Sequence, residues 1–196
     1  VRDTPEVFRK IGLNPLPMTF STGHLNDLLN PKDDDHTYTR NQIESIPDAL
    51  EHPIAIIESR SKTANKNSIV AIIDLPHNGK QSIAAVLLDG VGVLNSEQVD
   101  SNVSLTVHSR KNTISGLLKE AVENEINGLG GIFYWQKNIA MKLLAGNGYN
   151  SQGMQNVPNG YIRTITDPKS NVNTRIKSVT ESKQFKRWFG KSKVVD

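Results

Sequence analysis

Cysteine is absent from the 196 residues. That removes disulfide staples, a thiolate nucleophile and thiolate metal sites from consideration. Aromatics are scarce at 6%, in a composition otherwise ordinary for a globular protein. No apolar run approaches the roughly 20 residues that cross a bilayer, and the first residues carry no signal-peptide pattern, so no membrane partner is expected. A Gly-rich phosphate loop, a nucleotide fingerprint, a Ser-His-Asp signature and internal repeats are all missing. The chain begins at Val1 rather than Met and is read as a segment of a longer polypeptide.

The net charge of +3 conceals an asymmetry. Residues 169–196 hold eight Lys or Arg against two Asp or Glu. This tail alone carries +6, and everything before it balances to −3. The high pI therefore belongs to the tail and says little about whether the body binds nucleic acid. The expected organisation is one domain over 1–167 and a basic linker over 168–196. The linker ends in a short amphipathic stretch, with Phe185, Trp188 and Phe189 among lysines.

Along the body, Thr4-Pro5-Glu6 reads as a capped helix start, with Val7, Phe8 and Ile11 forming its apolar stripe. A short extended piece at Leu16–Phe20 precedes a helix capped by Ser21, with Leu25, Leu28 and Leu29 as its stripe. Asp33-Asp34-Asp35-His36 suggests a metal at first sight. Adjacent loop residues cannot all face one ion, and the spacing and distal Glu of a calcium loop are absent, so no metal site is expected. Thr39 and Gln42 form a capping box for the next helix, expected to break near Pro47. Strands are expected at Ile54–Glu58, Ser68–Leu75 and Gln81–Asp89, with a Pro76–Gly79 hairpin turn and a loop over Gly90–Asp100. A long helix follows Asn112 and Thr113, and Ile132–Trp135 reads as a strand. Gln136–Ala145 is a helix, and Tyr161–Thr166 adds an edge strand. His24, His52 and His77 read as surface or turn residues. The class is α+β: N-terminal helices packed on a curved antiparallel sheet, a meander of about four strands plus one or two more, with one long crossing helix.

The most informative stretch is Asn102–Asn112, which alternates strictly. A period of two puts Val103, Leu105 and Val107 on a buried face and Ser104, Thr106, His108 and Arg110 on the other, spaced by about 7 Å. Such a row can grip an anion and move a proton. His36 precedes a helix N-terminus, where unpaired amides favour negative charge.

Four segments in this order resemble the phage-associated Barnase–EndoU–colicin–RelE-like nuclease domains found at the C-terminus of MuF-type head proteins and inside large mobile-element polyproteins. They are the His36 segment with the helix ending Ile46-Pro47-Asp48-Ala49-Leu50; His52-Pro53-Ile54 running to Ser59; Asn102-x-x-x-Thr106-x-His108; and Ile132-Phe133-Tyr134-Trp135-Gln136-Lys137. The resemblance covers residues 4–146. Thr106 stands where the family has Ser, and His108 where it has Tyr. The tail resembles the lead-in to a following toxin-like domain of such polyproteins.

The resemblance implies a toxin-type, metal-independent endoribonuclease that needs no cofactor and leaves a 2′,3′-cyclic phosphate on RNA, with tRNA a possible target. The implied setting is phage-associated action in bacterial cytoplasm, beside adjacent polyprotein domains and opposite an immunity protein. His36 and His108 are the implied acid and base, near neutrality where Tyr would not titrate. Arg110 would clamp phosphate, with Arg60 or Lys137 as a second cation. Ser59 and Thr106 would bond nonbridging oxygens, and Tyr134 would stack a base. Glu58 is a further base. The alternative is a non-catalytic nucleic-acid- or virion-binding module, which the acidic balance of the body favours.

Overall fold

A computed structural model describes residues 2–20, 22–31, 37–59, 68–77, 79–94, 97–109, 113–149 and 154–165. Eight strands form one mixed sheet in the order β1-β2-β6-β5-β4-β3-β7-β8. They are β1 (Arg2–Asp3), β2 (Pro17–Phe20), β3 (Ala55–Glu58), β4 (Ser68–His77), β5 (Lys80–Leu94), β6 (Glu97–His108), β7 (Ile132–Trp135) and β8 (Gly160–Tyr161). Only β2 and β6 pair in parallel; the other neighbours are antiparallel. The α+β class and the central meander β3-β4-β5-β6 agree with the sequence pattern, whereas the number of strands is larger.

Helices cover both faces. On the first, α1 (Glu6–Lys10), α2 (Thr22–Leu29) and α3 (Arg40–Glu51) bury Val7, Phe8, Ile11, Leu28, Ile46 and Leu50 against Ile56, Ile69, Val86 and Val107. On the second, α4 (Thr113–Ile126) and α5 (Lys137–Ala145) bury Leu118, Val122, Ala140 and Leu144 against Ile57, Val70, Ile72 and Ile83. Glycine makes one of these contacts possible. Gly131 has φ 147°, and a Cβ there would lie 2.7 Å from the carbonyl oxygen of Ala121 on α4.

Local rules explain most departures from expectation. Thr4 does not cap α1; its Oγ1 donates to the Leu16 carbonyl (2.5 Å), and Pro5 stands at the N-cap. The α3 capping box forms as expected, and the helix runs through Pro47 without a break. Proline has no N–H and so removes one helical hydrogen bond, but Ile46 and Leu50 on the buried stripe hold both halves of α3 on the sheet. The expected loop over Gly90–Asp100 is instead the far end of a long hairpin, with Gly90 opposite Ser101 and Leu94 opposite Glu97. Backbone pairing there overrides the turn preference of Gly90 and Gly92. Strand β4 likewise runs on to His77, opposite Lys80, past the expected turn boundary. The Ser21 and Asn112 caps and the 168–196 tail lie outside the described residues.

Candidate functional site

A bulge in β6 determines which side chains can act together. Val86 lies opposite Ser104 and Ala85 opposite Thr106, so Leu105 has no partner on β5. One extra residue inverts the side-chain alternation beyond it. The four-residue polar row expected from the pattern is therefore broken. Ser104 shares the Val86 face and is fully buried, its Oγ without a hydrogen-bond partner. Thr106 and His108 point to the opposite face, and Val107, not Val103, joins the first core.

Thr106 and His108 are the pair the fold brings together. Both are half-buried, and Thr106 Oγ1 lies 3.2 Å from His108 Nδ1. The contact with Thr106 holds the His108 ring through Nδ1.

The other expected members fall elsewhere. Thr106 lies in register with Ala85, Val70 and Ile57, three strand spacings or about 14 Å from the β3 end that carries half-buried Ser59. His108 lies in register with Ile83, Ile72, Ala55 and Trp135, so Lys137, just past Trp135, is about 19 Å away across the sheet. Lys137 is also engaged: its Nζ donates to the carbonyls of Gln155 (2.8 Å) and Val157 (2.9 Å). Tyr134 packs on the first core, the face opposite His108. Its ring centroid lies 5.0 Å from that of Tyr161. Burial, then the neighbouring Tyr161, raises its pKa, against a smaller lowering by a Gln136 hydrogen bond. His36, Arg60 and Arg110 lie outside the described residues.

Three further readings change. Glu58, the further base candidate, is buried on the Ile56 and Ile69 face. His77 is buried, stacked on Tyr38 at 4.4 Å. His24 is 7% exposed, and its Nε2 accepts from the Val107 amide (2.5 Å). Of the expected α2 stripe of Leu25, Leu28 and Leu29, Leu28 is buried and the other two are exposed; His24 and Leu28, four residues apart, form the inner face. That i, i+4 relation was the available signal for His24. Asn102, first residue of the resembling motif, is a structural latch: its Nδ2 donates to Thr4 Oγ1 (2.8 Å) and to the Asn14 carbonyl (3.1 Å).

Among the described residues, no three His, Asp or Glu side chains are grouped to hold a metal ion, and no helix is long and apolar enough to cross a membrane. A small cavity of about 30 Å³ borders Asp3, Pro5, Met18, Phe20, Pro47, Leu50 and Glu51. It has room for water but not for a nucleotide base.

The model of the phage MuF C-terminal domain matches residues 27–140. The match spans α3, the meander, α4 and β7, more than half the chain, and the protein belongs to that family. No curated protein and no solved structure gives a significant match.

Proposed function

We propose that the domain is a toxin-type endoribonuclease that cleaves RNA without a metal, with His108 in the proton transfer. The observation that supports it is the Thr106 Oγ1 to His108 Nδ1 contact on a half-exposed strand end. In the reaction, a base takes the ribose 2′-OH proton and O2′ bonds to the adjacent phosphorus. The bond from phosphorus to O5′ breaks, an acid protonates O5′, and a 2′,3′-cyclic phosphate remains. His108 can supply one of these transfers, and Thr106 can hold its ring or donate to a nonbridging oxygen. His36 and Arg110 are proposed as the second acid–base group and the phosphate clamp, with Ser59 and Arg60 as outer contacts. RNA and an immunity protein are the proposed partners, in a phage polyprotein setting.

A second reading, a non-catalytic binding module, has one feature in its favour. The body before the basic tail balances to −3, and Lys137, the expected cation at the start of α5, is already bonded to carbonyls. Incubating the chain with tRNA and total RNA, with and without chelator, separates the two. Chelator-resistant cleavage that disappears in His108→Ala supports the enzyme. Intact RNA at high enzyme concentration, with retained RNA binding, supports the module.

A further inference from the structure

Among the described residues, the β6 segment that carries the candidate pair has a strand partner on one side alone. Strand β2 pairs with β6 only from Met18 to Phe20, opposite Asn102 to Ser104. Strand β6 then runs four residues further, to His108, paired on its other side with β5. Where β2 would have continued, the chain turns into α2, and α2 presents His24 to that edge. The Val107 amide donates to His24 Nε2 at 2.5 Å, and His24 is buried. An edge amide away from water and without an acceptor is costly, so this side chain replaces a missing strand.

The position of the bond gives it a second consequence. Val107 lies between Thr106 and His108, the two residues in contact through Oγ1 and Nδ1. The bulge at Leu105 interrupts the ladder just before them, and bulges let a strand bend. A fixed acceptor at Val107 removes that freedom. For Nε2 to accept, the His24 ring must be neutral with its proton on Nδ1.

Resting on the reading of His108 as a catalytic residue, we propose that His24 is its positioning residue. It acts through the Val107 amide and fixes where the His108 ring stands. His24 lies outside the span matched by the family model, which begins at residue 27, so a segment ahead of the matched span supplies the anchor.

Side-chain reach gives the test. Gln places its terminal amide where the His Nε2 sits and can accept the same bond; Asn reaches only as far as Nδ1 and cannot. In the wild-type chain, a through-hydrogen-bond ¹⁵N–¹⁵N coupling between Val107 and the His24 ring is expected, with ring ¹⁵N shifts of the Nδ1–H tautomer. His108 ring resonances should move in His24→Asn and His24→Ala and stay in place in His24→Gln. RNA cleavage should follow: kcat lowered on the order of 10- to 100-fold in the first two, with KM within about twofold, and restored in the Gln variant. Absence of the coupling overturns the proposal even if a variant does not fold. So does an unmoved His108 in folded His24→Asn, or a Gln variant as impaired as the Asn variant. If the NMR pattern holds and the wild-type chain cleaves no RNA, the anchor stands and the ribonuclease reading falls.

Discussion

The two ends of the meander look alike in sequence and behave differently in the fold. One ends in β6 with Thr106 and His108; the other leads through β3 to β7 with Tyr134, Trp135 and Lys137. Each carries polar groups just past an apolar strand. At the β7 end the polar groups are bonded inward by the segment over 154–165. Lys137 holds two carbonyls, Trp135 Nε1 donates to Pro158 O at 2.5 Å, and Arg163 is ion-paired to Glu125. At the β6 end the inward bond is made by the backbone of Val107 to His24, and the side chains on either side remain half-exposed. A strand-end cation or ring is thus bonded inward where a later segment folds back over it, and stays half-exposed where the inward bond is made by the backbone.

Substitutions on the β7 side should damage stability and spare cleavage. Trp135→Ala is expected to have the largest effect. It empties a fully buried site and orphans the Pro158 carbonyl, for a loss of about 4 kcal/mol in urea unfolding. Arg163→Met comes next. The Arg163 and Glu125 side chains are 9% and 11% exposed. Removing one partner leaves a carboxylate uncompensated, at a cost of about 3 kcal/mol by the same measurement. Lys137→Ala should cost about 1–2 kcal/mol through its two carbonyl bonds, and cleavage should be unchanged. If cleavage is lost with stability intact, the comparison between the two ends fails.

The smallest effect is a pH dependence. Burial holds the Tyr134 hydroxyl above its ordinary pKa of 10.0 in the folded chain. The neutral form is thereby favoured by folding, so the associated stability is full below pH 10 and declines as pH rises past it. Tyr134→Phe should lessen the alkaline loss of unfolding midpoint. An unchanged alkaline limb would show that Tyr134 ionises as freely folded as unfolded.

Much of the frame could be read from the residues, because periodicity and caps are local. The Thr39 capping box, the Val7, Phe8 and Ile11 stripe, and the meander all follow from short-range patterns. The errors arise where a tertiary partner decides. The Leu105 bulge has no marker in a perfectly alternating run, yet it inverts every later side chain and separates Ser104 from Thr106. Gly90 and Gly92 look like a loop until a long partner strand pairs them. His24 reads as a surface group because the apolar Leu25 and Leu29, grouped with the buried Leu28, pull the stripe away from the His24 side of α2. Thr106 and His108 were legible as chemistry-bearing residues, but the distance separating them from Lys137 is set by strand order, which residue type does not reveal.

The central claim is that the β6 end, and not the β7 end, carries RNA cleavage. It is tested most directly by single-turnover cleavage of tRNA in chelator by the wild type, His108→Ala and Lys137→Ala, with the cyclic phosphate product resolved. The account predicts cyclic-phosphate ends from the wild type and Lys137→Ala at equal rates, and a rate lowered on the order of 10²- to 10⁴-fold in His108→Ala. Equal rates for His108→Ala and wild type, or no cleavage by any of the three, would contradict it.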